Sequence, residues 1–202
     1  MFKCEKVNQF LKISLIMISL GLITPDAFCG GTVTGTIDTN LIKYKGEAVV
    51  YLKDVKGPVV PQRASIQMRN LTFTPKITVL PLGSTIDFTS YDQIYHNIFS
   101  ISPAKKFRID SMDTGISKSV TFDSSGVVQL LCSCHPDMIG WVFIGKNQYA
   151  VQTEHDGKFS ISNVPVGTYE VVVWSKRLKL GNKTMVTVKE GETSALVLKM
   201  ND

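Results

Sequence analysis

Short stretches in which apolar and polar residues alternate recur along the chain from about residue 32 onward. Gly, Pro, Asn and Asp residues separate them, as in Pro81-Leu82-Gly83 and His155-Asp156-Gly157. Alternation with period two is typical of half-buried strands, and no segment shows a sustained helical period. We therefore predict an all-β fold. The predicted strands are residues 32–37, 48–52, 77–80, 85–88, 119–122, 127–132, 158–161, 169–174, 185–188 and 195–198.

The N-terminus has a different pattern. Three lysines precede an apolar run at residues 13–23, and small residues follow at Ala27 and Cys29. A basic N-terminal region, a short apolar run and small residues before a cleavage site predict a signal peptide over residues 1–29 and a periplasmic or secreted protein. The run is shorter than the ~20 residues of a membrane-spanning helix, so we expect no stable membrane insertion after cleavage. Lipid modification of Cys29 is the alternative, and bulky Phe28 disfavours it.

Charge adds little to this picture. The formal net charge of the chain is +5, and removal of residues 1–29 would leave +4, with the lysines scattered rather than clustered. A basic stripe with interleaved aromatic residues is absent from the sequence, so we expect no nucleic-acid partner. The oligomeric state is not specified by any pattern.

Cysteine and histidine positions suggest a metal site. After cleavage only Cys132 and Cys134 remain, and two cysteines one residue apart are poorly placed to form a disulfide with each other. The segment Cys132-x-x-His135-x-x-Met138 follows an apolar strand, and His96 lies upstream in a second β-rich segment. One thiolate, two imidazoles and one thioether suit copper in both of its common oxidation states. We predict one mononuclear copper ion held by these four side chains.

Other interpretations of the same residues remain open at this point. Cys132 and Met138 are also residue types that fill apolar cores. Zinc prefers thiolate, imidazole and carboxylate to a thioether, and the Cys-x-x-Cys-His attachment sequence of c-type haem is one residue longer than Cys132-Ser133-Cys134-His135. A centre with two coppers needs wider spacing between its cysteines. His155 lies in a predicted Asp-Gly turn, where an exposed polar residue needs no function.

Residues 66–145 resemble the cupredoxins, the small blue copper proteins. The ligand loop from Cys132 to Met138 is similar to the short loop of amicyanin-like members, and His96-Asn97 resembles the first-ligand motif of the family. The resemblance implies a Greek-key sandwich with the copper near one end, Met138 as the axial ligand and His135 as the exposed ligand through which electrons leave. It also implies that Asn97 ties the two ligand segments together through Ser133.

Cys134 departs from the amicyanin-like pattern, which has proline at this position. The backbone N–H of Cys134 is then free to donate a hydrogen bond to the Cys132 thiolate. Such a hydrogen bond would change the reduction potential of the bound copper. Its thiol could also act as a second copper or redox group. The simplest interpretation makes Cys134 a small apolar filler.

The flanking segments resemble a carboxypeptidase regulatory-like, transthyretin-type β-sandwich. The resemblance is carried by residues 31–37 and 46–52 and by 155–161, 164–169 and 186–193. It implies that the copper domain is inserted into this second sandwich. We therefore predict a first part at residues 30–57, a cupredoxin domain at 58–146 and a second part at 147–202. This resemblance brings no catalytic motif.

These observations predict an exported type 1 copper protein that carries one electron to a redox partner protein. A copper trafficking or storage protein, and a non-redox module that binds carbohydrate or protein, are the alternatives. We expect no enzymatic activity and no catalytic residues, because neither a Ser-His-Asp set nor paired carboxylates can be assembled from the three histidines and their surroundings.

Overall fold

A computed structural model describes residues 30–201, so the predicted signal peptide lies outside the described residues. These residues form seventeen strands and one short 3-10 helix, Ile42–Tyr44. The all-β prediction is confirmed. The strands are β1 (Gly31–Asp38), β2 (Ala48–Leu52), β3 (Arg63–Arg69), β4 (Thr72–Thr74), β5 (Ile77–Pro81), β6 (Thr85–Ser90), β7 (His96–Ser102), β8 (Lys105–Met112), β9 (Ser117–Thr121), β10 (Gly126–Leu131), β11 (Ile139–Gly145), β12 (Ala150–Gln152), β13 (Lys158–Val164), β14 (Gly167–Ser175), β15 (Lys179–Leu180), β16 (Thr184–Val188) and β17 (Thr193–Asn201).

The strands form four sheets that pack as two sandwiches. One pair of sheets, which we call the middle sandwich, has the strand orders β5-β11-β10-β7-β8 and β4-β3-β6-β9. The other pair, the outer sandwich, has the orders β13-β1-β17-β15 and β12-β2-β14-β16. In the outer sandwich β1 pairs in parallel with β17, and β2 lies between β12 and β14. Strands from the beginning and the end of the described chain therefore share both of its sheets.

Alternation along single strands builds the two cores. In β6, Ile86 and Phe88 are fully buried while Thr85 and Asp87 point away from the core, because successive side chains of a strand face opposite sides of its sheet. Ile98 of β7 and Leu130 of β10 complete the same cluster from the facing sheet. Burial of each such side chain contributes about 1.5–3 kcal/mol. A separate cluster, which includes Val33, Leu52, Phe159 and Leu198, fills the outer sandwich.

Aromatic residues join the two sandwiches. Phe143 of β11 and Val49 of β2 are buried in a third cluster, against which Trp141, Trp174 and Tyr51 pack. The ring centroids of Trp141 and Trp174 are 5.6 Å apart, and those of Tyr51 and Phe143 are 5.0 Å apart. Both spacings lie in the range of favourable aromatic pairs. This aromatic contact holds the sheet that contains β10 and β11 against the outer sandwich.

The predicted domain boundaries remain predictions. Residues 53–62, which include the predicted boundary between residues 57 and 58, contain no strand.

Candidate metal centre

The predicted ligands lie where three strand ends meet, at one end of the middle sandwich. His96 is the first residue of β7, Cys132 directly follows β10, and Met138 directly precedes β11. Because β10 pairs antiparallel with both β7 and β11, the start of β7 and the start of β11 lie beside the end of β10. His96 and Cys132, which are 36 positions apart in the sequence, are thereby brought into contact.

Three of the four predicted side chains offer their ligand atoms to one point. The Cys132 Sγ lies 3.9 Å from the His96 Nδ1 and 3.7 Å from the His135 Nδ1, and all three atoms are within 4.8 Å of one another. Nitrogen and sulfur atoms that are each about 2.0–2.3 Å from a common ion lie roughly 3.3–4.0 Å apart. The two distances to Cys132 fall in this range, so these three residues fit a metal ion without rearrangement of the backbone.

Met138 is fully buried and belongs to the same core cluster as Cys132. Its backbone N–H donates a hydrogen bond of 2.9 Å to the carbonyl oxygen of His135, which closes the loop between β10 and β11. The short loop thus carries the thiolate, the second imidazole and the thioether within seven residues. His155, by contrast, is exposed in the turn before β13 and is not part of the cluster.

The two imidazoles differ in exposure. His96 is completely buried, whereas His135 is partly exposed at the surface of the loop. The two rings lie 4.9 Å apart between centroids, with an angle of 60° between their planes. His135 is therefore the ligand candidate that a molecule in solution can reach.

Asn97 links the two ligand-bearing segments, as the family resemblance implies. The backbone N–H of Ser133 donates to the Asn97 Oδ1 at 2.9 Å, and the Asn97 Nδ2 donates to the Ser133 Oγ at 2.5 Å. Asn97 is almost fully buried and Ser133 is exposed, so both hydrogen bonds are partly buried.

The interpretation of Cys134 as an apolar filler is wrong. Its side chain is exposed, and its Sγ lies 3.7 Å from the Asn97 Nδ2. Cys132 two positions earlier is buried, because it follows directly on a strand whose inward residues line the core. The position of the second thiol at the surface follows from the turn that the loop makes after Cys132.

Asp92 is a site residue that the sequence analysis missed. Its Oδ2 lies 3.0 Å from the His96 Nε2, on the side of the ring that faces away from Cys132. Burial raises the pKa of the Asp92 carboxyl, but hydrogen bonds from the backbone N–H groups of Leu71 and Asn70 and from His96 outweigh it, so that the net pKa is lowered. The carboxylate form is therefore favoured at neutral pH. No sequence pattern marks an aspartate in an irregular loop as the partner of a histidine.

None of the helices within residues 30–201 is long and apolar enough to cross a membrane.

Comparisons with known proteins give partial matches. Residues 125–196 match the model of the family described as polysaccharide lyase family 4, domain II. A search of curated proteins finds no match.

Three similar solved structures each match less than half of this chain. A purple cupredoxin from Nitrosopumilus maritimus is 29% identical, with a TM-score of 0.38, and the match covers 41% of this chain and 99% of that one. A reduced amicyanin variant is 16% identical, with a TM-score of 0.38, over 48% of this chain and 98% of that one. A copper-containing nitrite reductase from Thermus scotoductus is 23% identical, with a TM-score of 0.40, over 47% of this chain and a quarter of that one.

Proposed function

We propose that this chain is an exported type 1 copper protein that carries single electrons to and from a redox partner protein. The observation that carries the proposal is the convergence of one thiolate and two imidazole nitrogens of Cys132, His96 and His135 within 4.8 Å, at the end of a β-sandwich. Met138, buried beside them, supplies the axial thioether in this proposal.

The donor set supports copper over other metals. Imidazole nitrogen and thiolate sulfur together suit Cu(II) and Cu(I), and a weak axial thioether is typical of electron-transfer sites. Zinc sites in proteins combine thiolate, imidazole and carboxylate, and the Asp92 carboxylate contacts His96 rather than the point where the three ligand atoms meet. A copper ion bound by this set would supply one-electron redox chemistry.

The surroundings of the site support a carrier. His96 and Cys132 are held by a β-sheet and are buried, so the ligand geometry changes little when the charge of the site changes. His135, partly exposed, gives a partner protein a short route to the metal. Exposed apolar side chains at Tyr91 and Ile94, in the loop that leads to His96, offer a surface on which such a partner could dock.

The proposal includes no catalysis. The residues of the site are proposed to bind the metal, to hydrogen-bond a ligand or, in the case of Asn97, to link the two segments that carry ligands, and none is proposed as a general acid, base or nucleophile. Export rests on the sequence of residues 1–29, which lie outside the described residues.

The outer sandwich is proposed to be a carboxypeptidase regulatory-like domain of the transthyretin type, split by the copper domain. Support comes from the pairing of β1 and β2, from the beginning of the described chain, with strands that follow the metal loop. The aromatic contact between Trp141 and Trp174 holds the two sandwiches together. We propose that the outer sandwich serves as a scaffold that holds the copper domain.

Copper trafficking is the second candidate function, and one observation favours it. Cys134 places an exposed thiol next to the metal loop, and an exposed soft sulfur can exchange Cu(I) with a partner. The carrier proposal is preferred because the other sulfur donors, Cys132 and Met138, are buried.

The absorption and electron paramagnetic resonance spectra of the purified protein test the proposal. Loading the protein with one equivalent of Cu(II) is expected to produce intense visible thiolate-to-copper absorption that disappears on reduction and returns on oxidation. A weak spectrum typical of nitrogen and oxygen ligands alone would contradict the proposal.

A further inference from the structure

Asp92 contacts His96 on the side of the imidazole that faces away from the other ligand atoms. The distance from the Asp92 Oδ2 to the His96 Nε2 is 3.0 Å, while the His96 Nδ1 faces the Cys132 Sγ at 3.9 Å. Because His96 is completely buried, water cannot reach the Nε2 in place of the carboxylate. Among the described residues, the Asp92 carboxylate is therefore the hydrogen-bond partner of the His96 Nε2.

The Asp92 carboxylate is itself held in place by a turn from another part of the sandwich. The backbone N–H of Asn70 donates to the Oδ1 at 2.7 Å, and that of Leu71 donates to the Oδ2 at 3.0 Å. Asn70 and Leu71 form the two-residue turn between β3 and β4, and both have positive φ, 54° and 60°. The two N–H groups of this turn fix the carboxylate, and the Asp92 Oδ2 accepts from Leu71 while it also contacts His96.

A carboxylate accepts hydrogen bonds and cannot donate them, so the hydrogen of a neutral His96 must lie on the Nε2. The Nδ1 then keeps its lone pair, and this lone pair faces Cys132. We infer that Asp92 is a positioning residue, which fixes the tautomer and ring orientation of His96 before any metal binds and couples the metal site to the Asn70–Leu71 turn. This inference rests on the copper site proposed above.

The arrangement has a consequence for the metal. An imidazole that donates its second N–H to a carboxylate is a stronger base and a better ligand, and loss of such a partner typically lowers metal affinity about 10–100-fold. The added negative charge near the site also favours Cu(II) over Cu(I). Loss of Asp92 should therefore weaken metal binding and raise the reduction potential.

The first test uses the metal-free protein, so that it does not depend on copper chemistry. Nitrogen-15 NMR of the histidine side chains at neutral pH is expected to show His96 as a single tautomer with its hydrogen on the Nε2. A His96 signal with the hydrogen on the Nδ1, or a rapid mixture of both tautomers, would overturn the inference.

The second test compares Asp92→Asn and Asp92→Ala with Asp110→Asn as a matched control. Asp110 is exposed and pairs with Arg108, away from the ligands. We expect both Asp92 variants to bind Co²⁺ about 10–100-fold more weakly than the control, because both remove the carboxylate. Asp92→Ala should also lose the single Nε2–H tautomer, since it removes the acceptor, whereas the amide oxygen introduced by Asp92→Asn can still accept the Nε2–H. Asp92→Asn is of equal size, so it remains informative if Asp92→Ala does not fold.

Unchanged Co²⁺ affinity in Asp92→Asn, or an unchanged tautomer in a folded Asp92→Ala variant, would overturn the inference. The two proposals can fail separately. A wild-type protein that shows the Nε2–H tautomer but no thiolate-to-copper absorption would refute the proposed function and leave the positioning role of Asp92 in place. Strong thiolate-to-copper absorption without that tautomer would support the proposed function and refute the positioning role of Asp92.

Discussion

Asn97 and Ser133 are joined by two hydrogen bonds that connect strand β7 to the loop after β10. Each residue directly follows a candidate ligand, Asn97 after His96 and Ser133 after Cys132. The pair therefore helps to fix the distance between the two candidate ligands.

Asn97→Ala is expected to lower the free energy of unfolding of the metal-free protein by about 1–3 kcal/mol, because the backbone N–H of Ser133 loses its acceptor in a partly buried position. Urea denaturation measures the effect. The control is Asn182→Ala at an exposed loop position, for which we expect a change within about 0.5 kcal/mol. Equal stabilities of the two variants would show that the link between the segments has no energetic role.

Cys132→Ser is expected to abolish the visible thiolate-to-copper absorption, since the Cys132 Sγ is the sulfur that lies within 3.9 Å of both imidazoles. Cys134→Ser, the matched control, should keep most of the absorption because its thiol is exposed and lies outside the cluster. Absorption spectra of the two copper-loaded variants decide between them. The reverse pattern would transfer the ligand role to Cys134.

Repeated reduction and oxidation should leave copper bound if the protein is an electron carrier, because imidazole and buried sulfur donors serve both oxidation states. The measurement is the copper content after several cycles in the presence of a Cu(I) chelator of modest affinity. Release of copper at each reduction in the wild type, and its retention in Cys134→Ser, would instead favour trafficking through the exposed thiol.

A polypeptide of residues 58–146 is expected to fold and bind copper alone, because it contains every strand of the middle sandwich. A polypeptide of residues 147–202 should be unfolded or aggregated, since it lacks β1 and β2, which are interior strands of the two outer sheets. Fusing residues 32–56 to 147–202 through a short Gly/Ser linker should restore a cooperative transition. Circular dichroism during thermal unfolding tests all three, and cooperative unfolding of 147–202 alone would refute the insertion.

The acid stability of the middle sandwich should depend on Asp87. Hydrogen bonds from Ser119 and Arg63 lower the pKa of its carboxyl below the ordinary value of 3.8. A group whose pKa is lower in the folded state stabilises the fold above its unfolded pKa, and this contribution is lost as the pH falls through the folded value. Asp87→Asn should therefore reduce stability at pH 7, and its difference from the wild type should shrink as the pH falls below 3.8, as measured by urea denaturation. A difference that does not change with pH would point to packing instead of charge.

The sequence predicted best what is encoded in short stretches of chain. Strong alternation predicted β6 and β13. The spacing of Cys132, His135 and Met138 predicted a metal loop, since three side chains within a segment of seven residues need only one turn to meet. Strands with weaker patterns were missed. Strand β8 is the edge of its sheet, and only its Phe107 and Ile109 alternate with the exposed Lys106, Arg108 and Asp110, so its apolar pattern is short.

The sequence by itself therefore determined the all-β class, through period-two burial, and the chemistry of the ligand loop, through residue types at close spacing. Tertiary structure decided which distant groups surround that loop. The contact of His96 with Asp92, and of Asp92 with the Asn70–Leu71 turn, depends on how β3, β4 and β7 are arranged in the two facing sheets. The exposure of Cys134 likewise depends on the path of the folded loop. Such contacts leave no periodic pattern in the chain, because they join single polar groups of irregular segments that only the assembled sandwich brings together.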